Sequence, residues 1–183
     1  VETYRRKTFS SRRYEIWTMQ SAYHSLLPTI DTEEVSGAGV SGVMEAPGEA
    51  YAARAVAHYA DEEQAHLTLD LAGTYPPEAD LQTWGRTVTL HRGDVLVVED
   101  DFAFTAPVKA VTLGLLTPCD VRVEDDAVTF LAAPFGPEGV GRTSGTARMS
   151  FEPGIFKVST ERVEIDDERL GGVWGDGLNR VIF

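Results

Sequence analysis

The chain has 183 residues, 43% hydrophobic and 25% charged, enough for a sizeable core and within the range of one domain. Sixteen Lys and Arg against 29 Asp and Glu give a formal net charge of −13, which argues against a nucleic-acid binder, because phosphate backbones are met by basic faces. Cys119 is the only cysteine, which excludes an internal disulfide and a Cys-based zinc site. No apolar run approaches the roughly 18 residues of a membrane span. The sequence opens with neither Met nor a signal peptide, so it reads as a processed product or a piece of something longer.

Against this acidic background the stretch Tyr4 to Ile30 stands apart. It holds Arg5, Arg6, Lys7, Arg12 and Arg13, three of the six Tyr (Tyr4, Tyr14 and Tyr23), Trp17 and His24. Residues 1–20 carry five bases against Glu2 and Glu15, a net +3, which leaves −16 on the remainder. Residues 1–7 read as an extended edge, and Ser10 and Ser11 as caps of a short helix through Trp17. Pro28 stops it, and Thr29-Ile30 begins extended chain. Residues 31–49, with Gly37, Gly39, Gly42 and Gly48, read as a long loop with a short strand near Val43.

From Tyr51 the period is two, the mark of half-buried strands. Ala53, Ala55, Ala57 and Tyr59 alternate with Arg54, Val56 and His58, and Ala65, Leu67, Leu69 and Leu71 with His66, Thr68 and Asp70. Asp61-Glu62-Glu63 is a solvated turn between them. After a break over 73–80, Trp84, Arg86, Val88 and Leu90 form a strand, joined by the hairpin turn Arg92-Gly93-Asp94 to Val95–Glu99. Val111, Leu113 and Leu115 follow, then Val121–Val123 and Val128–Leu131 about the turn Glu124-Asp125-Asp126. Residues 133–145 read as a loop. Strand signals return at Ala147, Met149 and Phe151, at Phe156 and Val158, and at Leu178–Phe183. Short strands with turns every 8–12 residues, and no crossover helix after residue 50, predict an all-β antiparallel sandwich with a short irregular or helical N-terminal arm. The boundaries are 1–30 for the arm and 31–183 for the sandwich, one domain in all.

The sequence has no phosphate loop, nucleophile elbow or paired-His helix motif. His58, His66 and His91 fall on the polar faces of their strands. His24 lies in irregular chain beside Tyr23 and Ser25, where imidazole serves as ligand or base when partners converge on it. Glu99-Asp100-Asp101 and Glu124-Asp125-Asp126 lack calcium-loop spacing and read as solvated strand ends. The strip Arg12-Arg13-Tyr14 with Trp17 and Tyr23 has two readings. Rings that stack on sugars beside Arg forks that grip carboxylates suit an acidic polysaccharide. Alternatively, Tyr14 and Trp17 anchor the arm to the sandwich while the arginines meet the scaffold's own carboxylates.

The segment RYEIWTMQSAYHSLLPTI, from Arg13 to Ile30, closely resembles the segment after the metal-site strands of heparinase II/III-like polysaccharide lyases, which runs RY-x-x-W, then Ser, then His-Asn before a Thr-Ile turn. The stretch from Trp84 to Phe102 is similar to that family's sandwich strands. The resemblance implies a C-terminal β-sandwich of the family's super-sandwich type, whose parent cleaves uronate glycans such as heparan sulfate or alginate by β-elimination. It implies an N-terminal α/α toroid as partner, a periplasmic parent, and zinc held by two His and an Asp, with His24 where the downstream His falls. Arg12, Arg13, Tyr14, Trp17 and Tyr23 are then the substrate contacts, with Arg12 and Arg13 paired to the carboxylate. The upstream His-x-His pair, the Asp and the toroid are absent from this sequence, Ser25 replaces the Asn, and an extra Leu precedes Pro28. The isolated chain is therefore expected to hold no zinc and no catalytic residue of its own, and to be silent. Two other readings stay open: a stand-alone acidic-glycan module, and a structural domain that packs on a helical partner through the strip.

Overall fold

A computed structural model describes residues 6–32, 42–135 and 142–183. Tyr4, Arg5 and the start of the predicted edge lie outside the described residues, as do 33–41 and 136–141 of the two predicted loops. The chain is all-β and sandwich-like, and divides into two compact units: Pro28–Val111, and a discontinuous unit of Val1–Leu27 with Thr112–Phe183.

In the unit Pro28–Val111, β1 (Thr29–Asp31) pairs with β6 (Ala110–Thr112), and β2 (Arg54–Ala60), β3 (Gln64–Asp70), β4 (Leu81–His91) and β5 (Leu96–Phe104) form a four-stranded antiparallel meander. The expected strand near Val43 is a single bridge to Ile30. Arg92-Gly93-Asp94 is a hairpin turn, with Gly93 at φ +78, a left-handed value that glycine adopts without strain. One end of the meander is closed by a core of Ile30, Val43, Leu71, Tyr75, Ala79 and Trp84. Trp84 stacks on Tyr75 at 5.5 Å between centroids and donates its indole N–H to Asp100 Oδ1 at 2.8 Å. Arg86 grips the same carboxylate through two 2.7 Å bonds. Asp100, expected in a solvated strand end, is thus half-buried and triply bonded, because register places it directly opposite Arg86.

The sheet's apolar face carries Leu67, Val88, Leu90, Leu96 and Val98 by register, and its far half is open, with Val56 58% and Leu96 56% exposed. His58 belongs to this apolar side, opposite Leu67, and not to the polar face. The cause is an irregularity between Arg54 and Ala57, where Ala55 has φ +47; one extra residue reverses the alternation downstream. His66, on the polar face as expected, has Nδ1 3.0 Å from Thr89 Oγ1.

In the discontinuous unit, β7 (Gly114–Thr117), β8 (Val121–Val123) and β9 (Ala127–Phe130) are followed by the short ladder of β10 (Pro134–Phe135) with β11 (Arg142–Thr143) inside the predicted loop. Then come β12 (Ala147–Ser150), β13 (Ser159–Glu164), one helix α1 (Glu168–Trp174) and β14 (Gly177–Ile182). Two three-stranded sheets, β12-β9-β8 and β13-β14-β7, share a core in which Val128 and Val181 are fully buried. Phe151, Phe156 and Phe183 meet edge-on at its margin, an arrangement that aligns ring edges with ring faces. Helix α1 was not foreseen, although it is a connector within an antiparallel sheet and not a crossover. Its N-cap is Asp167, which accepts from the Arg169 and Leu170 amides. Among the described residues no helix is long and apolar enough to cross a membrane.

Candidate functional site

The arm is irregular and helical, as expected, although no single helix runs through Trp17. It is a run of 3-10 turns, Arg6–Phe9, Ser11–Glu15, Trp17–Met19 and Ser21–Tyr23. Ile16, Gln20 and His24 are extended residues that break the helix every fourth position. Ser10 still caps, accepting from the Arg12 amide at 3.2 Å. The aromatic and β-branched side chains here crowd a helix turn, and each extended residue returns its amide to the turn before it, as His24 does to Ser21 O at 2.8 Å.

Three contacts seat this run on its own unit. The Leu26 amide donates to Gly114 O at 2.7 Å. Arg180 of β14, 5% exposed, donates to Ala22 O at 2.9 Å and to Glu161 Oε1 at 2.8 Å. Its guanidinium also lies 5.0 Å from the Tyr23 ring centroid, a cation–π approach strengthened by burial. Gly114 suits this close seating: a Cβ there would crowd Ala22 O and Arg180 Nε, both at 3.2 Å, so that one of them would have to give by a few tenths of an ångström.

The two predicted arginines have different surroundings. Arg12 forms a two-pronged bond to Glu15 at 2.8 Å on each prong, and Lys7 reaches the same carboxylate at 3.0 Å. The Arg12 hydrogen bond, then that of Lys7, brings the Glu15 carboxyl down to about 2. Arg12 is therefore matched by an acid of the arm itself. Arg13 donates to the Tyr14 hydroxyl at 2.7 Å and lies over the Tyr14 ring at 4.9 Å. Among the described residues it has no carboxylate partner. Arg12, Arg13 and Tyr14 are all exposed.

Trp17, Tyr23 and His24 are brought together. Trp17 and Tyr23 meet edge-on at 5.2 Å, and with Thr18 and His24 they form one wall of an open cleft of about 300 Å³. Leu116 and Pro118 also line it, as do Ile165, just after β13, and Leu170 and Trp174 of α1. Tyr14 and the arginines do not line the cleft. The sequence reading missed Thr18, Arg180 and Trp174. Only Trp174 had a usable signal, as one of three Trp residues behind a helix-capping Asp.

His24 Nε2 stands 3.3 Å from Thr18 O. A carbonyl only accepts, so Nε2 is the donor in this contact, and Nδ1 carries a lone pair only in the neutral ring. Zinc needs three or four such ligands. Among the described residues no group of three His, Cys, Asp or Glu side chains stands together, so these residues alone do not fit a zinc ion. The acids of the β8–β9 turn face a cation already: Glu124 and Asp126 hold Arg148 at 2.7 and 3.2 Å. No family model matches the chain, and no curated protein matches it significantly.

Proposed function

We propose that the chain is the β-structured part of a heparinase II/III-like polysaccharide lyase, and that its arm and cleft hold a uronate-containing glycan. The supporting observation is that three of the six candidate residues, Trp17, Tyr23 and His24, line one open aromatic cleft. Rings of this kind stack on the C–H faces of sugars. Arg13, exposed and without a carboxylate partner among the described residues, is the fork for a sugar acid.

In β-elimination the C5–H and C4–O bonds break, a C4=C5 double bond forms, and the leaving oxygen takes a proton. Neutralising the uronate carboxylate makes the C5 proton removable, and that is the role of Arg13 here. The base and the acid come from the toroid partner. Were a zinc ion bound, as the resemblance implies, His24 would supply one ligand and the others would come from outside the described residues. The periplasmic setting follows from the resemblance.

Titration of the chain with a uronate tetrasaccharide, followed by Trp fluorescence, tests the contact. Binding should weaken with salt as screening sets in, and Arg13→Gln should lower affinity by about tenfold, one decade of Kd. No binding at low salt overturns the reading. A second reading, a stand-alone glycan module, is favoured by the cleft being lined by one unit alone. Formation of unsaturated uronate by the chain together with the toroid separates the two.

A further inference from the structure

Lys7, Arg12 and Glu15 make a complete carboxylate site within the arm. Glu15 ends the 3-10 turn Ser11–Glu15, and residues three apart in such a turn eclipse, so its carboxylate lies against the Arg12 fork. Arg12 donates from Nε to Oε1 and from Nη2 to Oε2, each at 2.8 Å, and Lys7 Nζ stands 3.0 Å from Oε2. A planar fork with two parallel bonds and an adjoining ammonium is the arrangement that grips a free carboxylate. The site is open to solvent, with the Arg12 side chain 70% exposed and that of Glu15 49%. An ion pair in that position is held weakly, because water competes for both partners. A carboxylate from outside therefore exchanges with Glu15 at little cost. Phe9, in the turn that carries Lys7, is 77% exposed and offers a ring face of the kind that a sugar covers.

Resting on the acidic-glycan reading, we infer that Glu15 is an internal competitor: its carboxylate fills a second uronate site, formed by Lys7 and Arg12, which a bound glycan takes over. Arg13, whose side chain meets only Tyr14, is the fork open in the free chain. A glycan held there raises the effective concentration of its other acids at the arm, and the Glu15 carboxylate gives up Arg12 and Lys7 for water. Lys7 is then a substrate contact beside the two arginines, and Glu15 sets how tightly the arm binds.

The test is a double-mutant cycle on the whole chain, read as the Kd of a mannuronate tetrasaccharide at low salt. Glu15→Gln should tighten binding by about threefold, the scale of a weak surface pair. Loss of a negative charge also tightens the binding of an anion without any exchange, and the cycle separates the two. If Glu15 competes for Arg12, the gain is lost when Glu15→Gln is made on an Arg12→Gln background. At pH 7 the Glu15 carboxyl-carbon NMR signal of the unchanged chain should move on saturation with the probe, as the carboxylate leaves Arg12. Both side chains lie outside the cores, so the variants are expected to keep an unchanged Tm. An equal gain with and without Arg12, no gain at all, or a Glu15 signal unmoved at saturation overturns the inference and leaves the acidic-glycan reading standing. Absence of binding by every variant at low salt overturns both.

Discussion

Asp100 and Glu15 each face an arginine through two short bonds, but in unlike surroundings. The Arg86–Asp100 pair is nearly enclosed, with side chains 9% and 16% exposed. Asp100→Ala strands a buried cation and removes the Trp84 acceptor, and should destabilise the protein by about 3–5 kcal/mol in urea unfolding. The Arg12–Glu15 pair is solvent-exposed, so Arg12→Gln should leave the unfolding midpoint nearly unchanged. Its effect appears instead in titration. With the Glu15 carboxyl at about 2 and its ordinary value at 4.5, the folded chain binds fewer protons than the unfolded chain between those values. The stabilisation is complete above 4.5 and is lost as pH falls through about 2. Carboxyl-carbon NMR should show the Glu15 titration moving up toward 4.5 in Arg12→Gln.

Elements differ in how plainly the sequence announced them. The strands β3, β4, β8, β9 and β12 were legible because apolar and polar residues alternate along them in the sequence. Residues on β2 were misplaced after Ala55, since a single inserted residue leaves the composition of a strand unchanged while reversing its faces. In the arm the serine cap marked where a helix starts, at Ser11, but not that it ends at Glu15, because caps say little of whether a helix continues. Helix α1 was hidden by Gly171 and Gly172, which weaken a helical signal. The far wall of the cleft could not be read at all: Ile165 and Trp174 lie some 150 positions from Trp17, and only the pairing of β7 with β14 brings that stretch back. Two outcomes follow for elements. Gly114→Ala should push the arm from β7, giving a red shift in Trp fluorescence before any loss of sheet signal in circular dichroism. Asp167→Ala should speed hydrogen exchange at the Gly171 amide, which bonds to Asp167 O, while amides in β9 stay protected.

At the scale of the molecule, the open half of the β2–β5 sheet is an exposed apolar surface in a chain of net charge −13. Because Val56 and Leu96 are both more than half exposed, the double change Val56→Lys and Leu96→Lys should lower dye binding by 8-anilinonaphthalene sulfonate with little change in Tm. A larger fall in Tm would mean that the face is covered. The division of the chain also has a consequence for its birth on the ribosome. Residues 28–111 form a contiguous unit, whereas Val1–Leu27 fold with Thr112–Phe183. The stretch up to Leu27 must therefore wait until Arg180, made 158 positions after Ala22, supplies its seat there. Translation that stops between Val111 and β14 should leave residues 28–111 protease-resistant and the stretch from Arg6 to Leu27 open to cleavage, a vulnerability set by chain order alone.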